Sequence, residues 1–218
     1  MQNLRDLSTY IIPLFLAIVL HEVAHGWMAY KLGDNTAKSM GRLTLNPVRH
    51  IDPVGSILVP ALLFISRAGF MFGWAKPVPV CFGALKDTKR DMGMVALAGP
   101  LCNFMLGVFS FFIAILFQKF VPANILTVWL FDTFRAFLSI NLALCAFNLL
   151  PVLPLDGGRI LVSLLPNRWS KEFEQTERYG FIVLMTVLFF LPMFGFDIIS
   201  VYMHWMMSGL MDLLLFFV

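Results

Sequence analysis

Two histidines and a glutamate stand in the stretch "AIVLHEVAHGWMAY", Ala17 to Tyr30, as His21, Glu22 and His25. Residues four apart project from one face of a helix, one turn from each other, so the two imidazoles can bind a single metal ion. Imidazole suits zinc, which in catalytic sites keeps three protein ligands and one open position for water. Glu22 lies one residue along, near the metal yet free to act as general base on that water. The bland alternative is a chance HExxH pattern whose polar side chains are satisfied inside a helix bundle. The apolar run around it weakens that alternative. An ionisable group in hydrocarbon must be neutral or paired, and no lysine or arginine lies within one helical turn of Glu22.

A third ligand is then required from elsewhere in the chain. His50 falls in a polar loop, and His204 lies in the C-terminal apolar stretch with Asp197 and Asp212 as its ionisable neighbours. Asp156 is better placed, because "FNLLPVLPLDGGRIL" sets a carboxylate among helix breakers at the end of a hydrophobic span. Asp156 could also cap a helix beginning near Gly157, and capping and ligation are compatible.

The elements that must position these residues follow from composition. Hydrophobic residues make up 59% of the 218 and charged ones 13%, about half the charged share of soluble domains. The expectation is an all-α polytopic membrane protein with about five to six transmembrane or re-entrant helices. It would form one membrane-embedded domain over residues 1–218, with a catalytic core of about 7–165 and a C-terminal helical segment of about 180–218. The N-terminus has the charge order of a signal peptide without a small-residue cleavage site, so it is expected to be retained.

The first span runs from about Leu7 to Leu32. Pro53 to Gly73 is apolar but broken by prolines and glycines, and "GRLTLNP" before it alternates like a short strand. "GWAKPVPVCFGALKDTKRD" suggests an extended or β segment near residues 74–82. Met92 to Phe117 is a clear span, and Asp132 with Arg135 limits the next to Ala136–Leu153. Phe181 to Val218 holds one or two further crossings.

These assignments contain a conflict. His25 and Asp156 can share a metal only at one membrane depth, which requires an odd number of crossings between their helices, whereas two are counted. The broken stretch Pro53 to Gly73 is the better candidate for a re-entrant segment buried against protein. If the loops after the first helix and after Asp156 share one side, their lysines and arginines make it the cytoplasmic one.

The motifs "HEVAHG", "AGPLCNF" (Ala98 to Phe104) and "FNLLPVLPLDGGR" (Phe147 to Arg159) occur in the order found in the site-2 protease family of intramembrane zinc metalloproteases, which the chain resembles over roughly residues 10 to 165. "GRLTLNPVRHIDPVGSILVP" and "GWAKPVPV" are similar to its small bacterial and archaeal branch without PDZ or nucleotide-sensing domains. The resemblance implies that His21, His25 and Asp156 hold one zinc ion and that Glu22 activates water. It implies that Asn148 positions substrate or stabilises the oxyanion, with Asn103 in a similar role. Buried amides also serve simply as hydrogen-bonding glue between membrane helices.

The activity so implied is hydrolysis of peptide bonds in or near transmembrane segments, in a multi-pass protein of the bacterial cell membrane. The partners expected are the lipid bilayer and a membrane-protein substrate whose helix must unwind locally. "KPVPV" could then accept the unwound backbone as an added strand. Two other readings compete. A zinc transporter would show several midplane ligand sites and repeated broken helices, and the sequence has one cluster and no repeat. A catalytically inactive relative would have lost its base, and Glu22 is present. A net charge of +3 is what basic loops give a membrane protein and implies no nucleic-acid partner. Cys81, Cys102 and Cys145 are scattered and odd in number, which suits packing and no disulfide framework.

Overall fold

The computed structural model describes residues 2–65 and 73–216. Its frame is helical. α1 (Gln2–Lys31), α2 (Thr88–Phe120) and α3 (Ile125–Asn148) pack against one another, followed by α4 (Asp156–Leu164), α5 (Asn167–Glu174), α6 (Glu177–Met193, with a π-helical turn at Thr186–Phe190) and α7 (Ile198–Leu215). Among the described residues four helices are long and apolar enough to cross a membrane: Leu7–Lys31, Thr88–Phe120, Ile125–Asn148 and Ile198–Leu215. α5 and α6 form a bent pair, turned by 59°, that adds a broken or re-entrant fifth.

Helix directions follow from the contacts. As α1 descends from His25 through Leu20 to Ala17, its partners on α2 rise from Val95 through Cys102 to Asn103, so the two helices are antiparallel. Asn103 then meets Asn141, and Phe117 meets Phe134, which makes α2 and α3 antiparallel as well. α1 and α3 therefore run the same way with a single crossing, α2, between them among the described residues, and the conflict in the sequence reading is resolved. The stretch from Pro53 forms a π-helical turn, Pro53–Leu58, and a short helix, Val59–Ile65. Thirteen residues of helix reach at most ~20 Å against a hydrocarbon core of ~30 Å, so this piece does not cross. The remainder of that stretch, residues 66–72, lies outside the described residues.

Close approach of the three main helices is set by the buried side of α2, where Ala96, Gly99, Asn103, Gly107, Ser110 and Ala114 recur at three- and four-residue spacing. Small residues let membrane helices touch along their backbones. Larger side chains fill the far end: Phe111, Leu138, Leu142 and Leu214 form a cluster that joins α2, α3 and α7.

Three sequence expectations need correction. The span proposed as Ala136–Leu153 begins at Ile125 and ends at Asn148, because Asp132 is paired with Arg5 of α1 at 3.2 Å and does not interrupt the helix. "GRLTLNP" and residues 74–82 form no ladder; no strand occurs among the described residues. The latter segment is irregular chain pinned from outside: Trp74 N–H to Gly55 O, Lys76 N–H to His50 O, Arg42 Nη2 to the carbonyls of Lys76 and Pro77, and Cys81 N–H to Asp34 Oδ2. Two prolines deny it the alternate N–H groups a ladder needs.

The basic residues are distributed unevenly about this frame. They crowd the loops from Lys31 to Arg90 and from Arg159 to Arg178, while the opposite end carries Arg5 and Lys119. The end bearing His25, the start of α2 and the end of α3 is therefore the cytoplasmic one.

Candidate metal centre

α1 carries His21 and His25 on successive turns, and α4 brings Asp156 to meet them from the far end of the sequence. His21 Nε2 and His25 Nε2 lie 3.0 Å apart, and each is 3.3 Å from Asp156 Oδ2. Among the described residues this is the one group of three side chains whose donor atoms could hold a metal ion. Leu155 occupies the N-cap position of α4 without a side-chain cap bond, and Asp156 is the first helical residue, its carboxylate aimed at the histidines.

Proton placement tests whether a cation fits. His21 Nδ1 lies 2.5 Å from Asn103 Oδ1 and His25 Nδ1 lies 2.7 Å from Val95 O. Both partners are acceptors, so both Nδ1 atoms carry the hydrogen, and in the neutral rings both Nε2 atoms then present lone pairs. Asp156 Oδ2 is buried without a hydrogen-bond partner. Three lone-pair atoms facing one another require a positive charge between them. Their separations are near the ~3.4 Å between ligands of a tetrahedral zinc whose bonds are about 2.0–2.1 Å long. The donor set fits zinc.

Space for the ion is provided by glycine. A Cβ on Gly99 of α2 would lie 2.6 Å from His21 Cε1 and would also collide with His25 Nε2. Asp156 depends on two more glycines: a Cβ on Gly157 would strike the Leu149 carbonyl, and one on Gly158 would come within 2.6 Å of Leu153 N. Without side chains there, the start of α4 folds tightly onto the turn after α3, which includes a cis Leu153–Pro154 bond.

The centre opens into a cavity of about 530 Å³ whose walls include Glu22, Trp74, Val78, Val80, Phe82, Asn148 and Arg159. Glu22 Oε2 accepts the Val78 N–H at 2.8 Å. Asn148 donates one amide hydrogen to Leu144 O on its own helix, which leaves the second for the cavity. Asn103 lies elsewhere than the sequence reading supposed: it is fully buried, bonded to His21, Ala17 and Asn141, and absent from the cavity wall. It is placed to orient the His21 ring. His50 is buried against Thr44 O and His204 is exposed on α7, so neither joins the cluster.

The sequence assigned nothing to Asn141 or Arg159. Asn141 is signalled only by its polarity in an apolar helix. Arg159 sits in the quoted glycine motif, and in the structure it pairs with Glu177 and lies over the Phe82 ring at 5.0 Å. The strand-addition role for "KPVPV" also loses support. Val78 N–H is held by Glu22, Pro77 and Pro79 have none to give, and Arg42 takes two of the carbonyls.

Comparison with known proteins supplies relatives. The profile of Peptidase family M50 matches residues 119–192. The chain is 40% identical over 185 residues to Putative zinc metalloprotease YwhC of Bacillus subtilis, covering 84% of this chain and 80% of that one. It is 29% identical over 174 residues to Putative zinc metalloprotease Rip2 of Mycolicibacterium smegmatis, covering 79% of this chain and 63% of that one. It is 26% identical over 170 residues to Zinc metalloprotease MJ0392 of Methanocaldococcus jannaschii, of which it spans 38%. No solved structure matches.

Proposed function

The chain belongs to peptidase family M50, the site-2 type of intramembrane zinc metalloprotease, and from that premise we propose that it hydrolyses peptide bonds in or near transmembrane segments of other membrane proteins, with His21, His25 and Asp156 holding one zinc ion and Glu22 as general base. The observation that carries the residue assignment is the convergence of three lone-pair atoms, 3.0–3.3 Å apart, in the wall of a cavity that Glu22 also lines.

Zinc, when bound, polarises the scissile carbonyl and makes water a better nucleophile near neutral pH. The remaining work falls to the chain. Glu22 keeps Oε2 on the Val78 amide and has Oε1 left to take the proton from the attacking water and pass it to the leaving amine. Asn148 turns its free amide hydrogen to the carbonyl oxygen as charge develops there. The apolar wall of Val78, Val80 and Phe82 accepts side chains of an unwound substrate segment and limits bulk water. Hydrolysis by this route needs no covalent intermediate.

The test compares the parent with Glu22→Gln, by metal analysis of purified protein and by membrane proteomics of cells carrying each. One zinc ion in both, with single-span proteins accumulating only in the variant, supports the reading. Equal proteomes would sink the enzyme assignment, and absence of zinc from the parent would sink the ligand set. Loss of zinc on His21→Ala completes the ligand test.

A further inference from the structure

The buried polar groups nearest the metal centre form a chain with a fixed direction. Asn141 of α3 donates Nδ2–H to Phe137 O at 2.8 Å, and its Oδ1 accepts from Asn103 Nδ2 at 2.8 Å. Asn103 Nδ2 also donates to Ala17 O at 3.3 Å, and its Oδ1 faces His21 Nδ1 at 2.5 Å. Asn103 and Asn141 are both fully buried.

The chain begins at one backbone carbonyl, Phe137 O, and meets a second, Ala17 O, at Asn103, and a carbonyl can only accept. Phe137 O requires the amino group of Asn141 on its side, so the carbonyl oxygen of Asn141 faces α2. That oxygen, with Ala17 O, requires the amino group of Asn103, so the carbonyl oxygen of Asn103 faces His21. His21 Nδ1 must then be the protonated nitrogen. Turning either amide over would set donor against donor or acceptor against acceptor between fully buried groups. With Asn103 reversed, Nδ1 would become the acceptor and the proton would move to Nε2, between His25 and Asp156.

The two histidines differ in this respect. His25 Nδ1 faces Val95 O directly, so main chain alone sets its tautomer. His21 depends on side chains from two other helices. We propose that Asn141 is a positioning residue for metal binding: acting through Asn103, it fixes the proton of His21 on Nδ1 and keeps Nε2 available as a ligand. Asn141 reaches neither the cavity nor the metal, and its effect is carried across α2 to α1. This rests on His21 being a zinc ligand, as proposed above. Glue between helices would stabilise the fold without changing metal affinity, so the two roles separate experimentally.

The experiment measures zinc affinity of the detergent-purified full chain by competition with a chelator, and the visible absorption of the protein loaded with Co²⁺. Outer-shell partners of metal ligands are worth about 10–100-fold in affinity. Asn141→Leu is expected to weaken zinc at least tenfold and to change the cobalt spectrum; Asn141→Ala serves the same purpose should leucine prevent folding. Asn141→Asp, neutral when buried, can still accept from Asn103 and donate to Phe137 O, and is expected to stay within about threefold of the parent. Ser110→Ala removes a buried hydroxyl of α2, bonded to Leu106 O, and should leave affinity unchanged. Parental affinity in Asn141→Leu and Asn141→Ala, or equal damage from Asn141→Asp, overturns the proposal. A His21→Ala protein that binds zinc as tightly as the parent refutes the ligand assignment instead.

Discussion

The Val78 amide donates to Glu22 Oε2 across 2.8 Å, which ties the irregular segment after residue 73 to the glutamate between the two histidines. Pro77 and Pro79 flank that amide, so the local chain is already held extended and Val78 is the residue placed to give an N–H here. Val78→Pro removes the donor, and Val78→Ala, which keeps the N–H, controls for the lost side-chain packing. A hydrogen bond to a charged group is worth about 1.5–3 kcal/mol, so turnover of a substrate found by the proteomic comparison should fall roughly 10–100-fold. Zinc content should stay at the parental level, because Glu22 is not among the proposed ligands. A variant that cleaves as fast as the parent would show that Glu22 needs no such anchor.

Gly99 offers a second test, because it separates packing from metal binding. Alanine favours a helix over glycine by about 1 kcal/mol, so Gly99→Ala should leave α2 helical. Its new methyl group would nonetheless lie 2.6 Å from His21 Cε1, in the space between the imidazoles. Zinc content measured on the purified variant should drop below a tenth of the parent's at equal helical circular dichroism. Full zinc occupancy would mean that the rings can shift without losing the metal.

Much of the centre was legible in the sequence. The i, i+4 histidines needed only helical geometry, and Asp156 needed a carboxylate at the end of a span in a glycine motif. Asn103 was found, but its contact with His21 was not. Its spacing along α2 cannot say that its amide points at His21, since that depends on how deeply α2 packs against α1. The start of α3 was missed for a related reason. Asp132 looks like an interruption until Arg5, 127 positions away, is seen beside it. The pinned segment after Gly73 was legible as non-helical from its prolines. Its attachments to Glu22, Asp34 and Arg42 are tertiary and leave no local pattern.

Asp34 holds the other end of that segment and carries a pH dependence. It is fully buried, accepting from Thr36 N at 2.8 Å, Thr36 Oγ1 at 2.5 Å and Cys81 N at 2.7 Å. Burial pushes its carboxyl up, but the Thr36 hydroxyl and amide and the Cys81 amide together hold it below the usual carboxylate value. A folded value below the unfolded one, about 3.9, means the stabilisation is fully present above that pH and is lost as pH falls through the folded value. Asp34→Ala should therefore lower the melting temperature in detergent at pH 7 and pH 5 equally. The gap to the parent should narrow below about pH 4. A gap that stays constant down to pH 3 would show that the carboxylate's charge contributes nothing.

Orientation in the membrane follows from the same helix directions and can be checked without any substrate. α1 and α3 point the same way, with the ends nearest the histidine–aspartate cluster on one side, and nearly all loop lysines and arginines lie at those ends. A reporter active only outside the cytoplasm, fused at Pro122 in the turn between α2 and α3, should be active. Fusions at Ser39 and at Arg168 should be silent. His25 lies six residues before the end of α1, so at 1.5 Å per residue the centre is ~9 Å below the cytoplasmic edge. In the proposed function, a bond cut at that depth would free the cytoplasmic part of a substrate with only a short apolar stub, too short to hold it in the bilayer. Activity at Ser39 with silence at Pro122 would reverse the orientation and place the released fragment on the opposite side.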